Sequence, residues 1–259
     1  MEAVRAFQKD ALAVRVYPTR AAMGAAAADD AAALLRRLLA AQGAVRAVFA
    51  AAPSQNEFLE ALCAAPGIDW PRVTAFHMDE YVGLSAAAPQ GFGNFLRARI
   101  FGRLPFGKVH YLDGNAPNTD AECRRYAALL AEAPIDVVFM GIGENGHIAF
   151  NDPPVADFSD PAAVKVVQLD EVCRNQQVHD GCFAALDQVP THALTLTVPT
   201  LAGAKHQLCI VPAPTKAAAV RDTVEGPIAP CCPASILRTC GDVVLYLERE
   251  SAQLLTEGV

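Results

Sequence analysis

IDVVFMGIGENGHIAFNDPP, Ile135 to Pro154, runs a short apolar, β-branched stretch straight into a polar loop studded with glycine. The first seven residues, Ile135 to Gly141, read as a buried strand. Gly141, Gly143 and Gly146 then let the backbone turn sharply and approach a ligand without interference from a Cβ. A buried strand that ends in such a loop is the repeating element of open α/β sheets, in which ligands bind beyond the carboxyl ends of the strands.

The rest of the chain repeats this pattern outward from that stretch. Short apolar runs alternate with longer amphipathic or alanine-rich ones, which predicts βα units around a mostly parallel sheet. Upstream, strands are expected at Leu12–Tyr17, Ala44–Ala51, Val73–Met78 and Lys108–Leu112. Helices are expected at Ala21–Ala41, Glu57–Ala64, Phe92–Phe101 and Thr119–Glu132, with Gly43 ending the first of them by taking a positive φ. Downstream, strands are expected near Ala163–Leu169, Ala193–Val198, Gln207–Val211 and Val243–Leu247, and helices near Thr215–Val224 and Glu248–Leu255. No repeat or linker divides the chain, so residues 1–259 are read as one domain.

Composition narrows the function. A chain with 53% hydrophobic residues can bury a sizeable core, and a net charge of −7 provides no general field for nucleic acid or an acidic membrane. The eight cysteines follow no metal-ligand spacing in a chain too long to need stapling, so reduced thiols are expected. The first twenty residues carry scattered charge and no apolar core segment, and no run is long and apolar enough to span a bilayer. A cytoplasmic enzyme or sensor of small molecules fits these facts.

Four loops after strands hold polar clusters: Ala52–Glu57, Asp79–Gly83, Gly143–Asp152 and Pro212–Lys216. In the third, His147 stands between Asn145 and Asp152, partners able to fix the tautomer of a proton shuttle, although a satisfied histidine in a tight turn would look the same. The second delivers adjacent carboxylates, Asp79 and Glu80, whose side chains alternate, so that one can face a pocket while the other anchors structure. An ordinary solvated N-cap pair is the plainer alternative. His77, just before them, reads as a packed histidine. In the fourth loop, Lys216 with the unpaired N–H groups of a helix start would make a phosphate site, although one lysine at a helix start is otherwise commonplace. Ser54 and Gln55 in the first loop offer similar contacts, or only an N-cap.

Taken together, MDEYVGL, Asn94–Phe101, Gly114–Cys123, GIGENGHIAFNDP and VPTHALTLTVPTLAGA followed by KAAAV resemble the glucosamine-6-phosphate deaminase/isomerase family over about Val48 to Leu247. The resemblance implies a modified doubly wound, Rossmann-like α/β fold with helices on both faces of the sheet. It implies no metal or cofactor, and a reaction taking glucosamine 6-phosphate and water to fructose 6-phosphate and ammonia. By the same resemblance, Asp79 is the base that moves a proton from C2 to C1, His147 assists ring opening, Asp152 orients it, and Lys216 contacts phosphate. Asn145 stands where many members carry aspartate, which implies either slower ring opening or an Asp152 that holds the imidazole's charge alone. AAAPSQNE replaces the usual glycine- and threonine-rich phosphate loop, leaving Ser54 and Gln55 as substitutes. Members' phosphate-binding arginine matches either Arg174 or, by spacing, Gln177. Gly146 belongs to the site as part of the histidine loop. The serine pair and basic residues of an allosteric effector site are missing, so no such regulation is expected. The resemblance leaves gluco against galacto substrate open, and a homo-oligomer too, since members range from single chains to hexamers. The competing readings are a 6-phosphogluconolactonase-like hydrolase, whose segments read DER and GHTASLFP rather than DEY and GHIAFNDP, and a non-catalytic sugar-phosphate sensor.

Overall fold

A computed structural model describes residues 2–256. In chain order the elements are β1 (Arg5–Lys9), β2 (Leu12–Tyr17), α1 (Arg20–Ala41), β3 (Val45–Phe49), α2 (Asn56–Ala64), β4 (Val73–His77), β5 (Asp79–Tyr81) and α3 (Phe92–Leu96). They continue with β6 (Lys108–His110), α4 (Thr119–Ala131), β7 (Val137–Met140), β8 (Val164–Gln168), α5 (Glu171–His179), β9 (His192–Leu196), α6 (Val198–Ala202), β10 (His206–Val211), α7 (Ala217–Glu225) and β11 (Val243–Glu248).

The main sheet has the order β1-β2-β11-β10-β7-β3-β4-β6, and a smaller one the order β5-β9-β8. All pairs in the main sheet are parallel except β1 with β2. Alternation along the central strands feeds two cores. Val45, Ala47 and Phe49 of β3 and Val137 and Phe139 of β7 pack with α1 and α2 on one face. Val48, Val138 and Met140 pack with Tyr126 and Leu130 of α4 and Val220 and Val224 of α7 on the other. The fold is therefore the expected α/β type, a mostly parallel sheet covered on both faces.

Two local features of this fold prepare the site. Strand order reverses between β3 and β7: the chain proceeds from β3 to β4 on one side and from β7 to β10 on the other. The loops following β3 and β7 diverge there and open a crevice. Immediately after β4 the chain leaves the main sheet, and Asp79–Tyr81 form β5 against β9, with Asp79 opposite Thr195. The sequence reading had these residues in a loop; the antiparallel pairing instead fixes their backbone.

Other expectations need correction at element ends. Helix α1 does not end on a left-handed Gly43: Gln42 caps it in extended conformation, its N–H donating to the Leu38 carbonyl, and Gly43 is not among the positive-φ glycines. The predicted helix at Glu248–Leu255 is absent. Strand β11 runs through Glu248, and hydrogen-bonded turns follow in which Glu248 accepts from the N–H groups of Glu250 and Ser251. The helix expected at Phe92–Phe101 is α-helical only to Leu96 and then widens to a π-helical turn at Arg97–Phe101. Strand β1, helices α5 and α6 and a 3-10 segment at Pro233–Thr239 carry too little periodicity to have been read.

Candidate active site

The loops after β3, β4, β7 and β10 meet over the crevice. They line, with α5, a cleft of about 530 Å³ including the solvent at its mouth. Asp79, His147, Lys216, Ser54, Gln55 and Gln177 all face this space. Among the apolar walls are Met78, Phe92 and Phe150.

The surroundings of His147 fix its tautomer. Nδ1 of His147 lies 2.8 Å from Oδ1 of Asn145 and 2.9 Å from Oδ1 of Asp152. The asparagine's orientation is set by its amide nitrogen, which donates to Asp152 at 3.0 Å and to Asp170 at 3.4 Å. Its oxygen therefore faces His147, accepting also from the His147 backbone N–H at 3.1 Å. With two acceptors on Nδ1, the neutral ring carries its proton there and leaves Nε2 as the acceptor. Burial works to raise the Asp152 carboxyl, but His147, Asn145 and the Asp170 N–H outweigh it and hold the group below the usual carboxylate range. Asn145 and Asp152 are not on the cleft wall; they set the ring from behind.

Two glycines make this geometry sterically feasible. A Cβ on Gly143 would stand 2.1 Å from Cε1 of His147, so the ring packs flush on the glycine backbone. Gly146 has φ +83° and abuts Sγ of Cys232, where a Cβ would lie 2.7 Å away. Its role is conformational, and it does not line the cleft.

Asp79 and Glu80 divide as alternation predicts. Asp79 is 6% exposed and faces the cleft, and burial, then the neighbouring Glu80, push its carboxyl well above the ordinary range. Glu80 points the other way and accepts from the N–H groups of Phe92 and Gly93 at 3.0 and 2.8 Å, anchoring the start of α3. His77 is fully buried, accepts from the Leu112 N–H at 2.7 Å and is pulled down to about 3 by burial, as expected of a structural histidine.

At the β10 end, Ala213 takes φ +85°, a conformation that costs a non-glycine residue about 1–3 kcal/mol. Its N–H is held by Glu248 at 3.0 Å. A 3-10 turn, Pro214–Lys216, then delivers Lys216 into the cleft. Lys216 is 4% exposed, and its buried ammonium has no hydrogen-bond partner among the described residues. Burial draws it below the usual lysine range despite attraction from Asp180 and Glu144. The first loop is tied to the same strand, since Nε2 of Gln55 donates to Ile210 of β10 and to Oγ of Ser54, both at 3.1 Å. Oε1 of Gln55 is buried without a hydrogen-bond partner among the described residues.

Arg174 does not belong to this assembly. Its guanidinium donates to the carbonyls of Leu186 and Val189 at 2.7 and 2.9 Å and lies outside the cleft. Gln177, the alternative by spacing, faces in, and Gln176, which the sequence did not single out, lines the wall beside it. Gln176 accepts from the Glu144 N–H at 2.8 Å and so connects α5 to the histidine loop. The adjacency of two glutamines in a polar run was the one visible hint.

Residues 18–245 match the family described as glucosamine-6-phosphate isomerases/6-phosphogluconolactonase. The chain belongs to this family. Relatives include a glucosamine-6-phosphate deaminase of Listeria monocytogenes, 34% identical over 213 residues, covering 82% of this chain and 89% of that protein. One from Exiguobacterium sibiricum is 37% identical over 190 residues, 73% of each chain. The fold superposes on a monomeric glucosamine-6-phosphate deaminase with a TM-score of 0.86, at 29% identity over 93% of this chain and 99% of the other. It also superposes on a 6-phosphogluconolactonase from Thermotoga maritima, TM-score 0.74, at 18% identity over 92% of this chain and 99% of that one; this likeness concerns the fold alone. These matches make the chain a member of an enzyme family acting on sugar phosphates. No helix among the described residues is long and apolar enough to cross a membrane.

Proposed function

We propose that this protein is an amino-sugar-phosphate deaminase that converts glucosamine 6-phosphate and water to fructose 6-phosphate and ammonia. One observation carries the reading: a buried carboxylate, an imidazole with Nε2 available and a buried ammonium, unpartnered among the described residues, line one cleft. A base, a proton shuttle and an anion anchor are what the reaction needs.

In this reading Lys216, with Ser54, Gln55 and Gln177 around it, holds the phosphate. Nε2 of His147 takes the proton of the C1 hydroxyl and returns it to the ring oxygen as the C1–O5 bond breaks, leaving an open-chain aldehyde. Asp152 steadies the transient imidazolium, and Asn145 keeps the ring in register. The aldehyde acidifies the C2 proton, which Asp79 removes to give an enolamine. Returning that proton to C1 leaves a C2 imine; water adds at C2 and ammonia departs, so atoms and charge balance. The raised Asp79 carboxyl suits a base that must also give its proton back, because its conjugate acid is easily held.

The test compares purified protein on glucosamine 6-phosphate, galactosamine 6-phosphate and 6-phosphogluconolactone. Equal release of ammonia and fructose 6-phosphate from glucosamine 6-phosphate is expected. Turnover of the lactone alone overturns the reading, and a preference for the galacto sugar corrects the substrate while leaving the mechanism.

A further inference from the structure

A thiol that the reaction does not use lies against the carboxylate that holds the histidine. A ring nitrogen of His147, a carboxylate oxygen of Asp152 and Sγ of Cys173 all fall within 4.8 Å of one another. The three residues are 8%, 0% and 1% exposed, so the donors are largely sheltered from water. Zinc bonds of about 2.0–2.3 Å in a tetrahedral shell put ligand atoms roughly 3.2–3.8 Å apart, so this triad needs little adjustment to close on an ion. Oδ1 of Asn145, 2.8 Å from Nδ1, is a further neutral donor at the same point. Mixed nitrogen, oxygen and sulfur donors select zinc-like cations over magnesium or calcium, which prefer oxygen alone. Asp152 also lines a separate, solvent-open cavity with Leu169, Asp170 and Arg174, giving an ion a path in from behind the ring.

We propose that His147, Asp152 and Cys173 form an inhibitory site for zinc and similar thiophilic divalent cations. The ion takes Nδ1 of His147, Sγ of Cys173 and an Asp152 oxygen. The thiol proton leaves to solvent, and the ring proton moves from Nδ1 to Nε2. Nε2 then bears a hydrogen and cannot accept the C1 hydroxyl proton, so inhibition follows from inverting the tautomer. That consequence rests on the function proposed above; metal binding itself does not.

The two are separated by reading binding directly. The full chain carries Cys231→Ser, because Cys231 is exposed and beside Cys232. It is titrated with cadmium while the thiolate-to-metal charge-transfer absorption is followed, and with zinc by equilibrium dialysis. One ion per chain and one proton released per ion are expected, with zinc abolishing turnover and a chelator restoring it. Cys173→Ser, and Cys173→Ala should the first fold poorly, should keep parental turnover, lose the absorption band and bind zinc at least about tenfold more weakly. No stoichiometric binding, an undiminished band in both variants or inhibition that persists in them overturns the proposal. Binding measured on Asp79→Asn should match the parent, so an error in the assigned reaction leaves this test intact.

Discussion

Gly143 lies directly against the His147 imidazole: a Cβ there would stand 2.1 to 2.3 Å from Cε1, Nε2 and Nδ1. The glycine's own φ is not in the left-handed region, so alanine meets no backbone penalty, only the ring. Gly143→Ala should therefore fold and yet lose the imidazole's position, reducing turnover by about 10²- to 10⁴-fold, the range for losing a general acid or base. Circular dichroism and kcat together check this. Near-parental turnover would mean that His147 is not needed where it sits.

Much of this arrangement could be read from the chain, and the omissions share a cause. The loops after β3, β4, β7 and β10 were visible because each follows a buried strand, and topology then brings strand ends together. The division of labour between Asp79 and Glu80 followed from alternation alone. Arg174 was misplaced because local spacing cannot show that carbonyls from Leu186 and Val189 would claim its guanidinium. Gln176 was missed because α5 is mostly polar, and its few apolar residues, Val172, Cys173 and Val178, mark no periodic face to betray which residues turn inward. Gly43 was given a positive φ because composition marks a helix end without specifying how the cap is made.

Asn145→Asp tests whether the asparagine is an impaired aspartate or a matched part. Its amide nitrogen donates to Asp152 at 3.0 Å and Asp170 at 3.4 Å, and a carboxylate would replace both bonds with repulsion. Buried carboxylates in contact share a proton and raise one another's affinity for it. The variant should show lower kcat at neutral pH and a lower Tm, both recovering in part toward acid. Faster turnover at neutral pH would refute the matched-pair view.

Asp79 should link activity and stability in opposite directions. Its folded carboxyl is raised, so its contribution to stability is complete below the unfolded value of about 3.9 and is lost as pH rises through the folded value. Above the unfolded value the raised carboxyl therefore works against the fold. Asp79→Asn should melt higher than the parent at pH 7, with the gap closing near pH 4, while ammonia release falls about 10²- to 10⁴-fold. The parent's kcat/KM should decline on the acid side at a pH above that of an ordinary carboxylate. Thermal melts across pH and a pH–rate profile supply the readings; a destabilised Asp79→Asn would contradict the assignment.

Lys216 presents the cationic counterpart. Burial lowers its folded pKa, so for this base stability is full above the unfolded value of about 10.4 and declines as pH falls through the folded one. At pH 7 the buried ammonium, unpartnered among the described residues, therefore works against the fold until an anion arrives. Ligand at 100 times its Kd adds about 2.7 kcal/mol to a protein that binds it only when folded. Lys216→Met, similar in length and without charge, should melt higher than the parent when no phosphate is present. Adding inorganic phosphate or fructose 6-phosphate should then raise the parent's Tm but not the variant's, and KM for the sugar phosphate should rise more than kcat falls. A phosphate-induced shift of equal size in both proteins would place the anion elsewhere in the cleft, and the three-group arrangement with Asp79 and His147 would lose its anchor.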